Sequence, residues 1–378
     1  MIRSAVVTLA ALFSLSAIAA PLPSPPELAA RSYVLLDFQS GQVLAERDAN
    51  LRAEPASITK VMTDYIAFEE LKQGRIQLDD AVLISEKAWR TEGSRTFVEV
   101  GQRVKLEHLI RGSIIQSGND ATVAIAEHIA GDEAVFAQLM NQHAKRLGMV
   151  NTNYTNATGL PDPELYTTAY DIALLSQALI RDFPDRYPLF SEREFTFGTR
   201  GEIRQGNRNL LLDLDPTADG IKTGHTNSAG YCLAGSAVRD GRRLIAVVMG
   251  TAGTRERAQA AKALLDYGFR FFETASLFGA DKPVQSARVW KGAVSQLNVG
   301  TLEPVAFSLP RGAGQALQVT AQVEPLLIAP IAKGQTVGSV TVASDGKTLR
   351  TLPLVALEEI PQGSWWRRLI DTVRLWFA

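Results

Sequence analysis

A single cysteine, Cys232, stands in a chain of 378 residues, so no disulfide within the chain is available to the fold. It lies in an apolar, strand-like run and reads as a buried structural thiol rather than a nucleophile. Histidine is nearly as scarce, at four residues. His108, His128, His143 and His225 fall mostly in helical runs and form no His-Glu-x-x-His pattern, so packing or surface roles are read for them rather than metal ligation. No metal and no cofactor are expected. A Gly-x-Ser-x-Gly elbow is also missing, which removes the α/β-hydrolase route to a reactive serine. Charge of one sign is not in excess: the formal net charge is −1, which argues against a nucleic-acid partner. With 46% hydrophobic and 21% charged residues, the length accommodates one large globular domain and a smaller one.

What is present centres on Pro55-Ala56-Ser57-Ile58-Thr59-Lys60, followed by the mostly apolar Val61 to Phe68, with no Gly or Pro until Gly74. Proline ahead of a serine and then this run predict a helix whose first turn carries Ser57 and which is buried on nearly all sides. Ser57 and Lys60, three apart, share one face of that turn. A serine hydroxyl needs a base, and a lysine serves only if its ammonium gives up its proton. Lowering a lysine from about 10.4 to about 7 costs about 4 to 5 kcal/mol. A helix N-terminus supplies only about 0.3 to 1 kcal/mol. Burial and a second cation, worth about 4 kcal/mol at about 4 Å and an effective dielectric of about 20, supply the rest. The pair therefore demands another cation elsewhere in the chain. Taken alone, a helix cap and a surface lysine read as well. Ser344-Asp345-Gly346-Lys347 has the same spacing, and its Asp-Gly pair marks a hairpin turn with a solvated lysine.

The chain opens with Arg3, an apolar segment ending near Phe13 to Leu15, and Ala17-Ile18-Ala19-Ala20. That is the pattern of a secretory leader cleaved after Ala19, and it is short for a membrane anchor. Tyr33 to Ala45, with a turn at Ser40-Gly41, predicts a β-hairpin whose partner strands come from far downstream. Arg90 to Val104 is irregular, either a rim loop over a cleft or an ordinary connection. Leu106 to Gln116 has helical spacing and ends at Ser117-Gly118-Asn119, and a second helix from Asp120 is stopped by Gly131. Ser117 and Asn119 around a turning glycine read either as cleft residues or as helix caps. Two further helices are expected at 133–147 and 169–181, and the Asn-x-Thr sequons at Asn153 and Asn156 read as turn composition. Lys222-Thr223-Gly224-His225 then enters a strand, followed by Tyr231 to Val238, a turn at Asp240-Gly241, and Arg243 to Met249. Lys222 and Thr223 along a cleft wall present an ammonium and a hydroxyl to an anion, with Gly224 giving substrate access to the backbone. The other reading of Lys222 is an edge-strand lysine that guards against aggregation.

Ser57-Ile58-Thr59-Lys60, Ser117-Gly118-Asn119 and Lys222-Thr223-Gly224, in this order, resemble the motif set of the penicillin-recognising serine enzymes. Gly118 stands where class A β-lactamases carry an aspartate, and no Glu-x-x-Leu-Asn lies between Asn119 and Lys222. Asn119-Asp120-Ala121, Lys222 to Thr226, Ala229-Gly230-Tyr231 and Gly268 to Glu273 resemble low-molecular-mass D-alanyl-D-alanine carboxypeptidases of the type of penicillin-binding proteins five and six. The likeness spans essentially the whole mature chain. It implies an α+β fold: an antiparallel sheet with helices, then a small all-β sandwich and a C-terminal amphipathic helix. It also implies that Ser57 is acylated, Lys60 is its base, Ser117 and Asn119 relay protons and position the peptide, and Lys222 and Thr223 engage the terminal carboxylate. Backbone N–H groups of Ser57 and His225 would form the oxyanion hole. Arg208 and Arg257 match family arginines near the cleft. The implied substrates are peptidoglycan stem peptides ending in two D-alanines, and β-lactams would be trapped at Ser57. Endopeptidase action on cross-links and a feebly active wall-binding scaffold are the alternatives.

The expected organisation is a leader at 1–19, a catalytic domain at 20–278, a β-sandwich at 283–360 and a membrane-surface helix at 361–378. Runs at 287–290, 305–309, 317–323, 336–342 and 348–357, separated by turns at Arg311-Gly312, Lys333-Gly334 and Asp345-Gly346, carry the sandwich. In the tail, Trp365, Trp366, Leu369, Ile370, Val373, Trp376 and Phe377 fall within about 140° of a helical projection. Arg367, Arg368, Asp371 and Arg374 fall opposite, and Leu375 is misplaced. About 20 Å of helix is too short to cross about 30 Å of hydrocarbon, so it is expected to lie in the interface with arginines toward anionic lipid. Packing on the β-domain is the other reading. The expected location is the periplasmic face of the inner membrane, after export. Pairing with a second copy of the chain is left open.

Overall fold

A computed structural model describes residues 22–198, 201–312, 317–344 and 346–376. The expected leader, Asp345 and Phe377 lie outside the described residues. The first unit is built on a five-stranded antiparallel sheet in the order Val43–Arg47, Ser32–Asp37, Arg242–Thr251, Gly230–Arg239, Ala218–Thr226. The early hairpin thus pairs with a strand far downstream, Leu35 opposite Ala246. Both faces of the sheet are apolar because helices cover both. Val34, Leu36, Ile245 and Val247 join the core beneath Lys60–Lys72 and Ala169–Asp182. Leu35, Leu244, Ala246 and Val248 alternate onto the other face, against Leu264 and Leu265 of the Thr254–Phe271 helix. The Lys60–Lys72 helix lacks a polar face for the same reason, being buried from Lys60 to Phe68.

Several local signals form as read. Thr168 caps Ala169–Asp182 through Asp171 N, and Asn119–Ala130 ends at Gly131 with φ +77°. Others differ. Ser57 sits in a 3-10 turn, Ala56–Thr59, that feeds the helix rather than in the helix itself. The run from Leu106 is an α-helix only to Arg111, and Gly112–Gln116 widens into a π turn.

The second unit is all β. Phe272–Phe278, read with the first unit, pairs with Val305–Pro310, while a six-stranded sheet runs Leu317–Val323, Thr336–Ser344, Lys347–Ala356, Gln296–Gly300, Pro283–Trp290, Leu327–Ile328. Ser344 and Lys347 face each other across the expected hairpin turn, so this second Ser-x-x-Lys is a turn with an exposed lysine. The two units are fastened at the base of the first sheet. Arg242 Nε donates to Asp37 at 3.0 Å and Thr274 at 2.6 Å, and Ser308 N donates to Gln42 Oε1 at 2.6 Å.

The tail folds as the Trp365–Leu375 helix, and it combines the two readings. Its polar side is docked: Asp371 Oδ2 accepts from Lys291 N at 2.7 Å and Arg367 Nη1 donates to Ala293 O at 2.6 Å. Asp371 is buried, whereas Trp365, Trp366, Leu369, Ile370, Val373 and Trp376 are exposed. Arg367 and Asp371 therefore face the β-unit rather than open solvent. No helix among the described residues is long and apolar enough to cross a membrane.

Candidate active site

The 3-10 turn, the π turn and the sheet's edge strand Ala218–Thr226 converge on a cleft of about 570 Å³. Ser57, Ser117, Asn119 and Thr223 line it, with Arg208, Gly224, His225 and Arg257. Lys60 and Lys222 stand behind the lining, 0% and 2% exposed. The three segments separated in sequence are therefore one site.

Ser57 follows Ala56, whose φ of +47° is left-handed and costs a non-glycine residue about 1 to 2 kcal/mol. The surroundings enforce that turn. Gly224 lies directly over it: a Cβ there would meet Pro55 O at 2.9 Å and Ile58 N at 3.2 Å. The glycine thus serves the approach of strand to turn, beside the access to substrate read from sequence. That approach brings the His225 backbone to the Ser57 turn, while the His225 ring packs over Tyr231 at 4.0 Å.

Lys60 Nζ lies 3.0 Å from Ser57 Oγ and donates to Thr158 O at 2.8 Å. A neutral amine with one hydrogen on Thr158 directs its lone pair at the Ser57 hydroxyl, the geometry of a general base. Thr158 was not legible as a site residue. Its loop is an Asx turn in which Asn156 Oδ1 accepts from Thr158 N, Thr158 Oγ1 and Gly159 N at 3.2, 3.0 and 2.7 Å. Gly159 has φ +84°, and a Cβ there would meet Ala56 O at 1.8 Å. The signal available was the Asn156 to Gly159 turn composition.

Ser117 itself adopts the left-handed conformation, φ +64°, and Gly118 does not. Gly118 is required for closeness instead, since a Cβ would meet Thr96 Oγ1 at 2.0 Å. Asn119 N and Nδ2 donate to Ser94 O and Glu92 O, both at 2.6 Å, so this residue ties the Arg90 to Val104 loop to the cleft rim. Ser117 Oγ and Asn119 Oδ1 are buried without a hydrogen-bond partner among the described residues. Buried polar atoms left unpaired at a cleft are poised for a ligand.

Burial is the main force on the two amines. It holds Lys60 well below the ordinary lysine range, with the Lys222 charge next and Arg208 adding to it, against Asp64 and Asp120. Lys222 is thus the second cation the sequence demanded, not an edge guard. Lys222 is itself pushed down to about 7 by burial, with Asp64 opposing and Arg208 and Arg257 assisting. A substrate carboxylate beside Lys222 holds it charged and so drives Lys60 further toward its neutral form. Arg257, buried and pushed down to about 10 by that burial, donates to Gly224 O at 2.9 Å and braces the strand. Exposed Arg208 and Thr223, buried but lining the cleft, are what an incoming carboxylate meets first.

Cys232 is buried, its thiol pushed up by burial, as a structural role requires. Of the histidines, His108 stacks beside Phe195 and Phe197, His128 meets Asp80, and His143 packs on Tyr65.

A nucleophile turn with a buried lysine base, an unpaired serine and asparagine, and a cationic edge strand define a penicillin-recognising serine acyl-transfer enzyme. A family model described as D-alanyl-D-alanine carboxypeptidase matches residues 19–253, and one described as penicillin-binding protein 5, C-terminal domain, matches 272–362. The chain belongs to this D-alanyl-D-alanine carboxypeptidase family of serine peptidases. It is 42% identical over 364 residues to D-alanyl-D-alanine carboxypeptidase DacA of Escherichia coli (strain K12), covering 94% of this chain and 90% of that one. DacF of Bacillus subtilis, also named a D-alanyl-D-alanine carboxypeptidase, is 34% identical over 349 residues, 92% of this chain and 90% of its own. The structure of penicillin-binding protein 5 from Haemophilus influenzae superposes with a TM-score of 0.83 at 39% identity, covering 90% of this chain and all of that one.

Proposed function

We propose that this chain is a serine-type D-alanyl-D-alanine carboxypeptidase that removes the terminal D-alanine of peptidoglycan stem pentapeptides. The observation that carries this reading is the buried Lys60 amine, 3.0 Å from Ser57 Oγ and anchored on Thr158 O. Ser57 Oγ attacks the carbonyl carbon between the two D-alanines as its proton passes to Lys60. Backbone N–H groups of Ser57 and His225 receive the developing oxyanion, an interaction commonly worth about 10² to 10³ in rate. The proton then passes through Ser117 to the leaving amine, D-alanine departs, and water cleaves the ester. Asn119 holds the peptide amide, and Thr223 and Arg208 hold the carboxylate over the buried Lys222 charge. A β-lactam presents the same bond with a leaving group that stays tethered, so it remains on Ser57 as an adduct. Incubation with a stem pentapeptide is expected to release one free D-alanine per peptide. Cleavage of cross-linked dimers into monomeric peptides without action on the pentapeptide would replace this reading with an endopeptidase.

The leader supports export, and the docked tail supports attachment to the outer leaflet of the cytoplasmic membrane, at its periplasmic face. Three tryptophans and three aliphatic side chains on one exposed face suit the headgroup boundary, where such rings favour an interfacial site. Deleting 361–378 is expected to move active protein from the membrane pellet to the supernatant, read by penicillin labelling of both fractions. Retention in the pellet overturns the anchor.

A further inference from the structure

One acidic group beneath the cleft is not accounted for by the chemistry above. Asp64 lies one helical turn beyond Lys60 and is wholly buried. Its Oδ1 accepts from Ser113 Oγ at 3.0 Å, and its Oδ2 is buried with no hydrogen-bond partner among the described residues. No cation lies within ion-pair distance of it among those residues; Lys60, from its own helix, and Lys222, from the edge strand, are the charges that act on it. The neighbouring elements bring only neutral groups closer, Ser113 from the π turn and Thr122, which touches Ser113 at 3.2 Å, from the Asn119–Ala130 helix. Asp120 of that helix also acts on Lys60, but its carboxylate is spent on the backbone N–H groups of Thr96 and Phe97 at 2.7 and 2.9 Å.

A buried carboxyl with one donor and a bare second oxygen is costly unless a charge nearby gains from it. With Lys60 neutral, as the attack on substrate requires, Lys222 stands between Asp64, which favours its charge, and Arg208 and Arg257, which disfavour it. We propose that Asp64 is a positioning residue for the reaction: it is the counter-charge that opposes loss of the Lys222 proton in this buried pocket, and so supports the grip on the substrate carboxylate near neutral pH. It touches no substrate and acts through Lys222. Burial raises the Asp64 carboxyl to about 7, so the counter-charge is present on the alkaline side and is withdrawn as the pH falls below neutrality. Its influence is therefore concentrated on the basic limb of the pH profile. This inference rests on the carboxypeptidase reading, because it assigns Lys222 to carboxylate recognition.

The test is the pH dependence, from about 5 to 10, of the second-order acylation rate with a chromogenic penicillin, for the full chain and Asp64→Asn. The asparagine retains the shape and the acceptor for Ser113 and removes the charge. Lys222 then loses its proton more readily, so the basic limb is expected to move acidward by about one pH unit, the order expected for loss of an opposite charge nearby. Below neutrality the two profiles approach each other. At pH about 7 the loss is expected as weaker binding, in KM for the peptide, rather than in kcat. A carboxylate that only braces Ser113 lowers the unfolding temperature and leaves the limb where it was; a limb that coincides with that of wild type overturns the proposal. Should Asp64→Asn fail to fold, Ser113→Ala serves. It leaves the charge but removes its donor, so the same limb is expected to move acidward by less, and an unmoved limb counts against the proposal. Absence of acylation in wild type at every pH instead removes the carboxypeptidase reading itself.

Discussion

Ser57→Ala is expected to abolish acylation: wild type incubated with a penicillin gains the mass of one ligand, and the variant gains none. Turnover of a stem pentapeptide is expected to fall by at least about 10⁴-fold, since a nucleophile and its base act as one unit. What remains is whatever the oxyanion donors and substrate binding achieve without a covalent step. The fold has little reason to object. Ser57 is half-buried, its side chain meets Lys60, and the turn is held by Gly224 and Gly159 packing against backbone rather than by the hydroxyl. Unfolding free energy is expected to change by less than about 1 kcal/mol. A covalent adduct on the variant would place the nucleophile elsewhere.

Lys60→Met is expected to move activity and stability in opposite directions. Acylation is expected to fall by about 10³ to 10⁴, at the upper end for loss of a general base, because no other amine lies within reach of Ser57 Oγ among the described residues. Stability is expected to rise. Burial holds the Lys60 amine well below its unfolded value, so between those two values the unfolded chain binds a proton that the folded chain does not, and the native state is destabilised there. Methionine removes this cost but strands the Thr158 carbonyl, at about 1 to 3 kcal/mol. A net gain in stability at pH about 7, shrinking and then reversing as pH approaches about 10, is expected from urea unfolding across that range. A variant less stable than wild type at pH 7 would mean that Lys60 is charged in the resting enzyme.

The order of elements was largely legible because each carried a local reason: the uniformly apolar run after Lys60, the hairpin glycines, the Thr168 cap. Ser57, Lys60 and Lys222 were legible for a different reason, namely that the chemistry of one required the others. Thr158 and Asp64 were not. Thr158 contributes a backbone carbonyl, which every residue has, so its composition carries no trace of the role. Asp64 is one of 40 acidic residues, and although its run was read as buried, its role depends on Ser113 and Lys222, which distant parts of the chain bring to it. Gly118 was read for the wrong property, because whether a glycine provides a turn or a close approach depends on Thr96, a neighbour supplied by the fold. In the tail, the projection separated the two faces correctly, but which face meets protein depends on the exposed N–H of Lys291 and carbonyl of Ala293 in the β-unit.

The Asx turn beneath Lys60 bears on how the enzyme is produced. Asn156-Ala157-Thr158 is an acceptor sequence for N-linked sugars, and its amide oxygen is the centre of the turn while its amide nitrogen reaches Leu160 O at 3.0 Å. A host that glycosylates its secreted proteins would hang a glycan on the nitrogen that closes this loop, before the loop has formed. The carbonyl that seats the base would then have no fixed position, so a bacterial host is the appropriate choice.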